Sequence, residues 1–320
     1  MTTTADVNQL QVTSHHNREE VAAIVVTFRP ELNRLQVLLE ATLAQVGHVY
    51  VVDNGDGEQL RPSLLGLDRI TLITMGENQG IGAAQNAGAS AALCGGARYL
   101  LLLDQDSVPA NDMVPRLIDT LEALSVEGMH VGAVGPASPS RMAPARFVRF
   151  GWFRYETVRF AQNETFVWCD MLIASGTLIP ATAWSDIGPM DETLFIDKVD
   201  TEWCLRAASK GYRIAGVPRA RLEHSLGERS IRLWLGRWRH VPVHHPFRYY
   251  YIIRNGLLIA RYPHASWRWR TAELQRSISI VFFFGLAAPA RWSNLGMMLR
   301  GTLAGLIGRS GPLPPPTTNC

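Results

Sequence analysis

Apolar and polar positions fall along the first third of the chain in blocks. Val21-Ala-Ala-Ile-Val-Val26 is a continuous, β-branched apolar run, the pattern of a strand buried on both faces. It ends at Thr27-Phe28-Arg29-Pro30. Leu32, Leu35, Leu38, Leu39 and Leu43 then recur at helical spacing within Glu31 to Val46. Further strands are predicted at His48 to Val52, Ile70 to Thr74 and Tyr99 to Leu103, with an Ala-rich helix over Gly80 to Cys94. Asn111 to Leu124 predicts another helix. Val131 to Val134 and Phe166 to Ala174 predict strands, and Ala181 to Ile187 and Thr201 to Lys210 predict short helices. Gly135 to Thr165, rich in Pro, Arg and aromatics, shows no period. Strand and helix alternating at these lengths predict an α/β fold: a mostly parallel sheet with helices on both faces. Ligands in such folds bind beyond the carboxyl ends of the strands. Attention therefore falls on Thr27-Phe28, Asp53-Asn54 and Asp104-Gln105-Asp106, each just past a strand.

Beyond His224 the composition changes. Arg229 to Arg270 holds nine arginines and no acid, interleaved with Trp and Tyr. Of 31 basic and 28 acidic residues, thirteen basic and one acidic, Glu273, lie after Glu228. The net +3 therefore divides into +12 there and −9 before it. Such a tail suits an anionic partner: a membrane surface, a nucleic acid or a phosphorylated ligand. The apolar fraction of 47% allows a full core. The expected organisation is a disordered lead-in over 1–20, the α/β domain over 21–228, a basic, aromatic, largely helical extension over 229–310, and a stiff, unpacked Pro-rich tail over 311–320. Cys94, Cys169, Cys204 and Cys320 have no metal-ligand spacing and read as reduced thiols of a cytoplasmic protein. The polar N-terminus lacks the apolar stretch of a signal peptide. Ile278 to Ala290 is short of the ~20 apolar residues of a spanning helix, so it reads as interfacial or buried.

The chemistry gathers at the strand ends. Leu100-Leu-Leu-Leu103 drives into the core, and two carboxylates emerge at Asp104 and Asp106. Either they help hold a hard cation such as Mg²⁺ or Mn²⁺, or Asp106 caps the next turn. Asp53-Asn54-Gly55 is either a simple turn or a carboxylate that accepts from a nucleobase or ribose. Asn78-Gln-Gly-Ile-Gly-Ala-Ala-Gln-Asn86-Ala-Gly88 opens a helix with small residues at Gly80, Gly82 and Ala83 that would let it approach a nucleotide, without a P-loop lysine. Asp191 to Arg206 is a second acidic cluster. Asp200 and Glu202 either favour a helix start or supply a general base for an acceptor hydroxyl, with Arg206 orienting the cluster. His224, with Gly227 nearby, ends a further strand.

Taken together, the Val-Val-Thr strand end, Val-Val-Asp-Asn, Asn-x-Gly-x-x-x-Ala-x-Asn-x-Gly, Leu-Asp-x-Asp and the acidic cluster ending in Arg206 resemble glycosyltransferase family 2, from Val21 to His224. That family has the GT-A fold and inverts at the transferred sugar. The resemblance implies that Asp104 lies near the donor ribose and diphosphate and that Asp106 holds a divalent metal, joined by His224. Asp53 would contact the nucleobase. It implies Asp200 as general base, with Asp197 and Glu202 as fallbacks, although Val199 stands where the family has Glu. Thr27, Phe28, Arg29, Asn54, Asn78, Gly80, Asn86, Gln105 and Arg254 complete the expected donor site. Leu103-Asp-Gln-Asp-Ser107, Leu194-Phe-Ile-Asp197, Val199-Asp-Thr-Glu202, Leu222-Glu-His-Ser-Leu-Gly-Glu228 and Arg248-Tyr-Tyr-Tyr-Ile-Ile-Arg-Asn255 resemble the bacterial rhamnosyltransferase branch, which uses dTDP-L-rhamnose. This implies transfer of L-rhamnose to a glycolipid hydroxyl, with monorhamnolipid as the leading acceptor, at the inner face of the cytoplasmic membrane. O-antigen, lipopolysaccharide or other surface polysaccharide is the alternative. A nucleic-acid-binding protein has no use for successive strand-end acids, and its acidic body would repel phosphates. A nucleotidyltransferase would show an early basic, Gly-rich loop, and Thr27 to Pro30 is not one.

Overall fold

The computed structural model describes residues 18–58, 60–64, 66–138, 146–161, 163–224, 230–234, 238–286 and 290–314. In chain order come β1 (Val21–Thr27), α1 (Leu32–Leu43), β2 (His48–Asp53), the one-turn α2 (Arg61–Leu64), β3 (Ile70–Thr74), α3 (Ile81–Cys94) and β4 (Tyr99–Asp104). Next are β5 (Ser107–Pro109), α4 (Met113–Val126), β6 (Val131–Ala137), β7 (Phe147–Phe150), β8 (Tyr155–Val158), β9 (Val167–Cys169), β10 (Leu178–Pro180), α5 (Ala181–Ile187), α6 (Val199–Ser209) and β11 (Arg213–His224). The C-terminal part holds β12 (Ser230–Trp234), β13 (Trp238–Pro242), α7 (Pro246–Ile259), α8 (Trp267–Leu286) and α9 (Arg291–Leu306).

The main sheet runs β3-β2-β1-β4-β10-β6-β11-β5, with β9 added beside β11. β1 to β4 are mutually parallel, β10 is antiparallel to both its neighbours, and β6 and β11 are parallel. The period of two explains why the strands read as unbroken apolar runs. In β1, Ala22, Ile24 and Val26 join the core layer that also holds α3, α5 and α6 residues, while Val21, Ala23 and Val25 join the layer beneath α1 and α4. Both faces are covered, as the pattern predicts.

Two expectations need correction, the Phe166 to Ala174 strand and the unpacked tail, and two segments gain detail. Phe166 to Ala174 is not one strand: β9 ends at Cys169, the Asp170 carboxylate accepts from the Phe150 amide (2.6 Å), and Gly176 (φ 84°) turns the chain back onto β4, its amide donating to Leu102 O (2.7 Å). The patternless stretch contains the antiparallel β7–β8 pair. The C-terminal part begins with the antiparallel pair β12–β13 and then becomes helical. It also shares the main core, since Leu258, Ile259, Ala265 and Trp269 belong to the layer containing α3 and α6. The start of the Pro-rich tail is packed: Gly311 N donates to Thr193 O (2.7 Å) and Leu313 N to the Tyr251 hydroxyl (2.6 Å). Of the lead-in, 1–17 lies outside the described residues, and Glu20 pairs with Arg98 (2.8 Å). Cys169 and Cys204 are buried, Cys94 is exposed, and all three are free; Cys320 lies outside the described residues. Among the described residues, no helix is long and apolar enough to cross a membrane.

Candidate active site

Parallel register builds the first wall. Thr27 pairs with Asp53 and Val26 with Asp104, so the ends of β2, β1 and β4 reach one edge together. Thr27 Oγ1 donates to Asp53 Oδ1 (3.2 Å). Gln105 laces the ends of β1 and β4: its Oε1 accepts from Phe28 N (2.7 Å), and its Nε2 faces Phe28 O (3.4 Å). Asn54 joins the edge to the start of α3, donating from Nδ2 to Asn78 Oδ1 (3.1 Å) and accepting from Gln79 N (2.9 Å). Asp104 is placed from below by its amide, which donates to Ser175 Oγ (3.1 Å).

A cleft of about 940 Å³ lies over this edge. Thr27, Phe28, Asn54, Asn78, Gly80, Asp104, Gln105 and Asp106 line one side of it, and Asp197 and Asp200 also face it. Asp53 lies just beneath, 4% exposed, where a Cβ on Gly55 would be 3.5 Å from its carboxylate. Arg29 is outside the lining, in left-handed backbone (φ 49°) with its guanidinium 5.2 Å from the Phe28 ring centroid. In backbone register His224 pairs with Ser107, next to Asp106; its side chain lies outside the described residues.

Three further expected residues are not brought into the cleft. Asn86 ties α3 to the following wall: its Nδ2 donates to Met190 O (3.0 Å) and Glu192 Oε1 (2.8 Å), and its Oδ1 accepts from Met190 N (2.8 Å). Arg254 is fully buried. Its guanidinium donates to Leu194 O (2.8 Å), Asn255 Oδ1 (2.8 Å) and Gly311 O, and it stacks near Tyr251. These bonds tie α7 to the Leu194 carbonyl and to the start of the tail. Glu202 is 2% exposed and held by Arg206 through two bonds of 2.9 and 3.0 Å. The glycines at the start of α3 also serve packing within the protein. A Cβ on Gly80 (φ 95°) would stand 2.6 Å from Phe195 O, and one on Gly82 3.2 Å from Asp191 O. They let α3 approach the 191–199 segment.

Asp200 opens α6 from that segment. Its Oδ1 accepts from Thr201 N (2.7 Å) and Oγ1 (3.3 Å). Burial pushes the Asp200 carboxyl above its ordinary value, against the Thr201 bonds, and the Asp197 charge pushes the same way. A carboxylate raised in this way is a stronger proton acceptor than an ordinary one. Asp104 and Asp106 supply two hard oxygen groups on the opposite wall. Among the described residues, no group of three or more His, Cys, Asp or Glu side chains is placed to hold a metal alone. Two carboxylates suit a Mg²⁺-like ion that completes its shell with substrate phosphates and water.

Arg248, Phe247 and Lys198 also line the cleft; none of them was among the expected site residues, although Arg248 opens the motif that ends at Asn255. Arg248 donates to Asp197 (2.6 Å to Oδ1, 3.3 Å to Oδ2). Lys198 is 8% exposed and pairs with Glu273 of α8 (2.5 Å), which also accepts from the Tyr155 hydroxyl (2.6 Å). Burial pushes the Lys198 ammonium down against the pull of Glu273. Burial alone would push Glu273 up, but Lys198 and Arg276 outweigh it and hold its carboxyl low. Helical phase could have found Arg248: it and Ile252, one turn apart on α7, both line the cleft, whereas Arg254 is out of phase with them.

The family model "Glycosyl transferase family 2" matches residues 23–174, which carry β1 to β4 and both strand-end aspartates of the cleft. The chain is 32% identical over 248 residues to the dTDP-rhamnosyl transferase RfbF of Shigella flexneri, covering 76% of this chain and 81% of that protein. Among solved structures, GalNAc-T7 with UDP, GalNAc and Mn²⁺ matches with a TM-score of 0.58 at 12% identity, over 91% of this chain and 56% of the other. Staphylococcus aureus TarS 1–349 matches with a TM-score of 0.53 at 15% identity, over 88% and 80%. Those two likenesses establish the GT-A-like fold. The sequence similarity spans most of both chains, so the chain belongs to glycosyltransferase family 2 and is a glycosyltransferase.

Proposed function

We propose that this enzyme transfers L-rhamnose from dTDP-L-rhamnose to a hydroxyl of a glycolipid, with inversion at the anomeric carbon. The observation that carries the reading is the meeting of Asp104 and Asp106 with Asp200 across one cleft. The donor assignment draws on the similarity to a dTDP-rhamnosyl transferase. Donor binding falls to Thr27, Phe28, Asn54, Asn78, Gly80, Asp104 and Gln105, with Asp53 beneath. Asp106 and Asp104 would hold a Mg²⁺ or Mn²⁺ ion, with His224 as a further ligand. When bound, that ion supplies positive charge against the charge developing on the leaving diphosphate. Asp200 accepts the proton of the acceptor hydroxyl as its oxygen bonds to the anomeric carbon and the bond to the dTDP oxygen breaks. Asp197, tied to Arg248, is the fallback base.

Phe147, Val148, Ile173, Phe247 and Ile252 give the cleft an apolar wall beside Arg146, which favours an amphiphilic acceptor such as monorhamnolipid. A thermal-shift panel of nucleotide sugars, followed by product analysis with monorhamnolipid and a lipid-linked O-antigen precursor, tests both halves. Stabilisation by dTDP-L-rhamnose above UDP- and GDP-sugars is expected, with transfer to monorhamnolipid. Transfer to the polyprenyl precursor alone would move the enzyme to surface-polysaccharide assembly.

We also propose that α8 and α9 rest on the anionic inner face of the cytoplasmic membrane. α8 exposes Trp267, Leu274, Ile278 and Phe282, and α9 exposes Trp292, Leu299, Leu303 and Leu306, each set on one helical stripe. The exposed arginines Arg268, Arg291, Arg300 and Arg309 lie on or beside these helices, and the single acid, Glu273, is buried. Full-length protein should float with anionic liposomes. Leu299→Glu with Leu303→Glu should abolish this; flotation unchanged by that double substitution, or a shift only in self-association, rejects the surface.

A further inference from the structure

The segment leading into Asp200 is unusual in its backbone. Phe195, Asp197 and Lys198 have φ of 65°, 64° and 63°, a region that non-glycine side chains disfavour. Three such residues within four persist only when the surroundings hold them there. Helix α3 supplies one restraint: Ile81 N at its start donates to Phe195 O (2.7 Å). Local turn bonds add Phe195 N to Glu192 O (3.1 Å) and Ile196 N to Leu194 O (2.8 Å), and further long-range restraints come from helices 50 and more residues later in the chain. Asn255 Nδ2 lies 3.0 Å from Leu194 O, 2.8 Å from Ile196 O and 2.8 Å from Asp197 O. Arg254 takes a further bond to Leu194 O, Arg248 takes the Asp197 carboxylate, and Glu273 takes the Lys198 ammonium. The Phe195 ring stacks on Tyr251 with centroids 5.4 Å apart.

Asn255 is the centre of this arrangement. It is fully buried, and three carbonyl oxygens of the strained segment converge on one amide nitrogen. Its own oxygen accepts from Arg254 Nε (2.8 Å), which fixes the direction in which the amide points. Other residues can neutralise the segment's charges. Among the described residues, only Asn255 grips its backbone at three points, Leu194, Ile196 and Asp197, just before the helix that carries Asp200.

We infer that Asn255 is a positioning residue: it holds the 194–198 backbone in its strained form, and thereby sets where the Asp200 carboxylate stands in the cleft. The C-terminal helices thus complete the catalytic centre. This rests on the reading of Asp200 as the base.

The test uses full-length Asn255→Ala and Asn255→Asp. The latter keeps the shape and turns an oxygen toward the three carbonyls. Expected are a turnover about 100-fold lower, the loss typical of a misplaced catalytic group, and dTDP affinity by calorimetry within about twofold of the parent, since a positioning loss falls on turnover rather than on donor binding. The acid limb of the pH–kcat profile should move to lower pH, because Asp200 released toward water loses the burial that raises it. Hydrogen exchange should quicken at the Ile81 amide, which reports on Phe195 O. If either variant does not fold, Asn255→Ser, which keeps one donor, should show the same changes in smaller measure. Parent-like turnover with an unmoved limb overturns the inference, as does a parallel fall of turnover and dTDP affinity. Should Asp200→Asn retain turnover, the base reading fails on its own; the Ile81 exchange still decides whether Asn255 holds the segment, faster exchange supporting it and unchanged exchange refuting it.

Discussion

The two walls of the cleft are positioned by different means. The wall proposed for the donor comes from neighbouring strand ends: Thr27, Asp53 and Asp104 reach one edge because parallel register leaves them no choice. The wall with Asp197 and Asp200 comes from a segment outside the sheet, in backbone that resists its own conformation and is bound by side chains far along the chain. One wall is rigid by ladder geometry, the other by a few long-range bonds. Damage to the first should show in donor binding, and damage to the second in turnover.

The sharpest way to break that contrast is Asp200→Asn. Turnover should fall by about 10²- to 10⁴-fold, the usual worth of a general base, with calorimetric dTDP affinity nearly unchanged. The same variant should melt higher at neutral pH. Burial raises the Asp200 carboxyl in the folded protein, so its ionisation favours the unfolded chain. The penalty is absent below the unfolded pKa and grows as pH rises toward the folded one. The gain in melting temperature should therefore shrink as the medium is acidified. Asp106→Ala should act on the other wall. It should remove the increment in dTDP affinity that Mg²⁺ or Mn²⁺ confers, measured by titration with and without the ion; an increment that survives would detach Asp106 from the metal.

Two smaller effects sharpen the boundary between the walls. Gly80→Ala forces a Cβ toward Phe195 O at a positive φ. It should cost about 1–3 kcal/mol of stability by denaturant melt, in line with other strained positions, and lower turnover more than dTDP affinity. Asn86→Ala should cost about 1 kcal/mol, the net worth of a typical hydrogen bond, and leave dTDP affinity as it was. A large loss of donor binding in that variant would return Asn86 to the donor site.

The same contrast explains what the sequence disclosed. Strand-end chemistry was legible because an apolar run that stops at Asp104 or Asp53 declares both the strand and its polar end. Asp200 was legible as part of an acidic cluster interleaved with apolar residues. The roles of Asn86, Arg254 and Glu202 were not. Each is a polar residue in a motif near the site, and only the fold shows that its bonds go to Met190 and Glu192, to Leu194, and to Arg206. Nor could spacing show that Gly80, which lines the cleft, also makes room for Phe195. The three positive-φ residues carry no mark in the sequence, since glycine, the usual sign of such backbone, is absent from 195–198. The packed start of the tail was missed for a related reason: Gly311 and Leu313 are held by partners in Thr193, Arg254 and Tyr251, not by any period of their own.

That anchoring also bears on the order in which the molecule comes into being. Chains fold from the N-terminal side as the ribosome makes them. The nascent protein can therefore close its parallel strands, and with them the donor wall, while the residues that grip the 194–198 backbone are still unmade. Only once Arg248 to Glu273 and then Gly311 to Leu313 have emerged can the second wall take its strained form. On the proposed reading, the wall for the nucleotide would thus be assembled before the wall that carries Asp200.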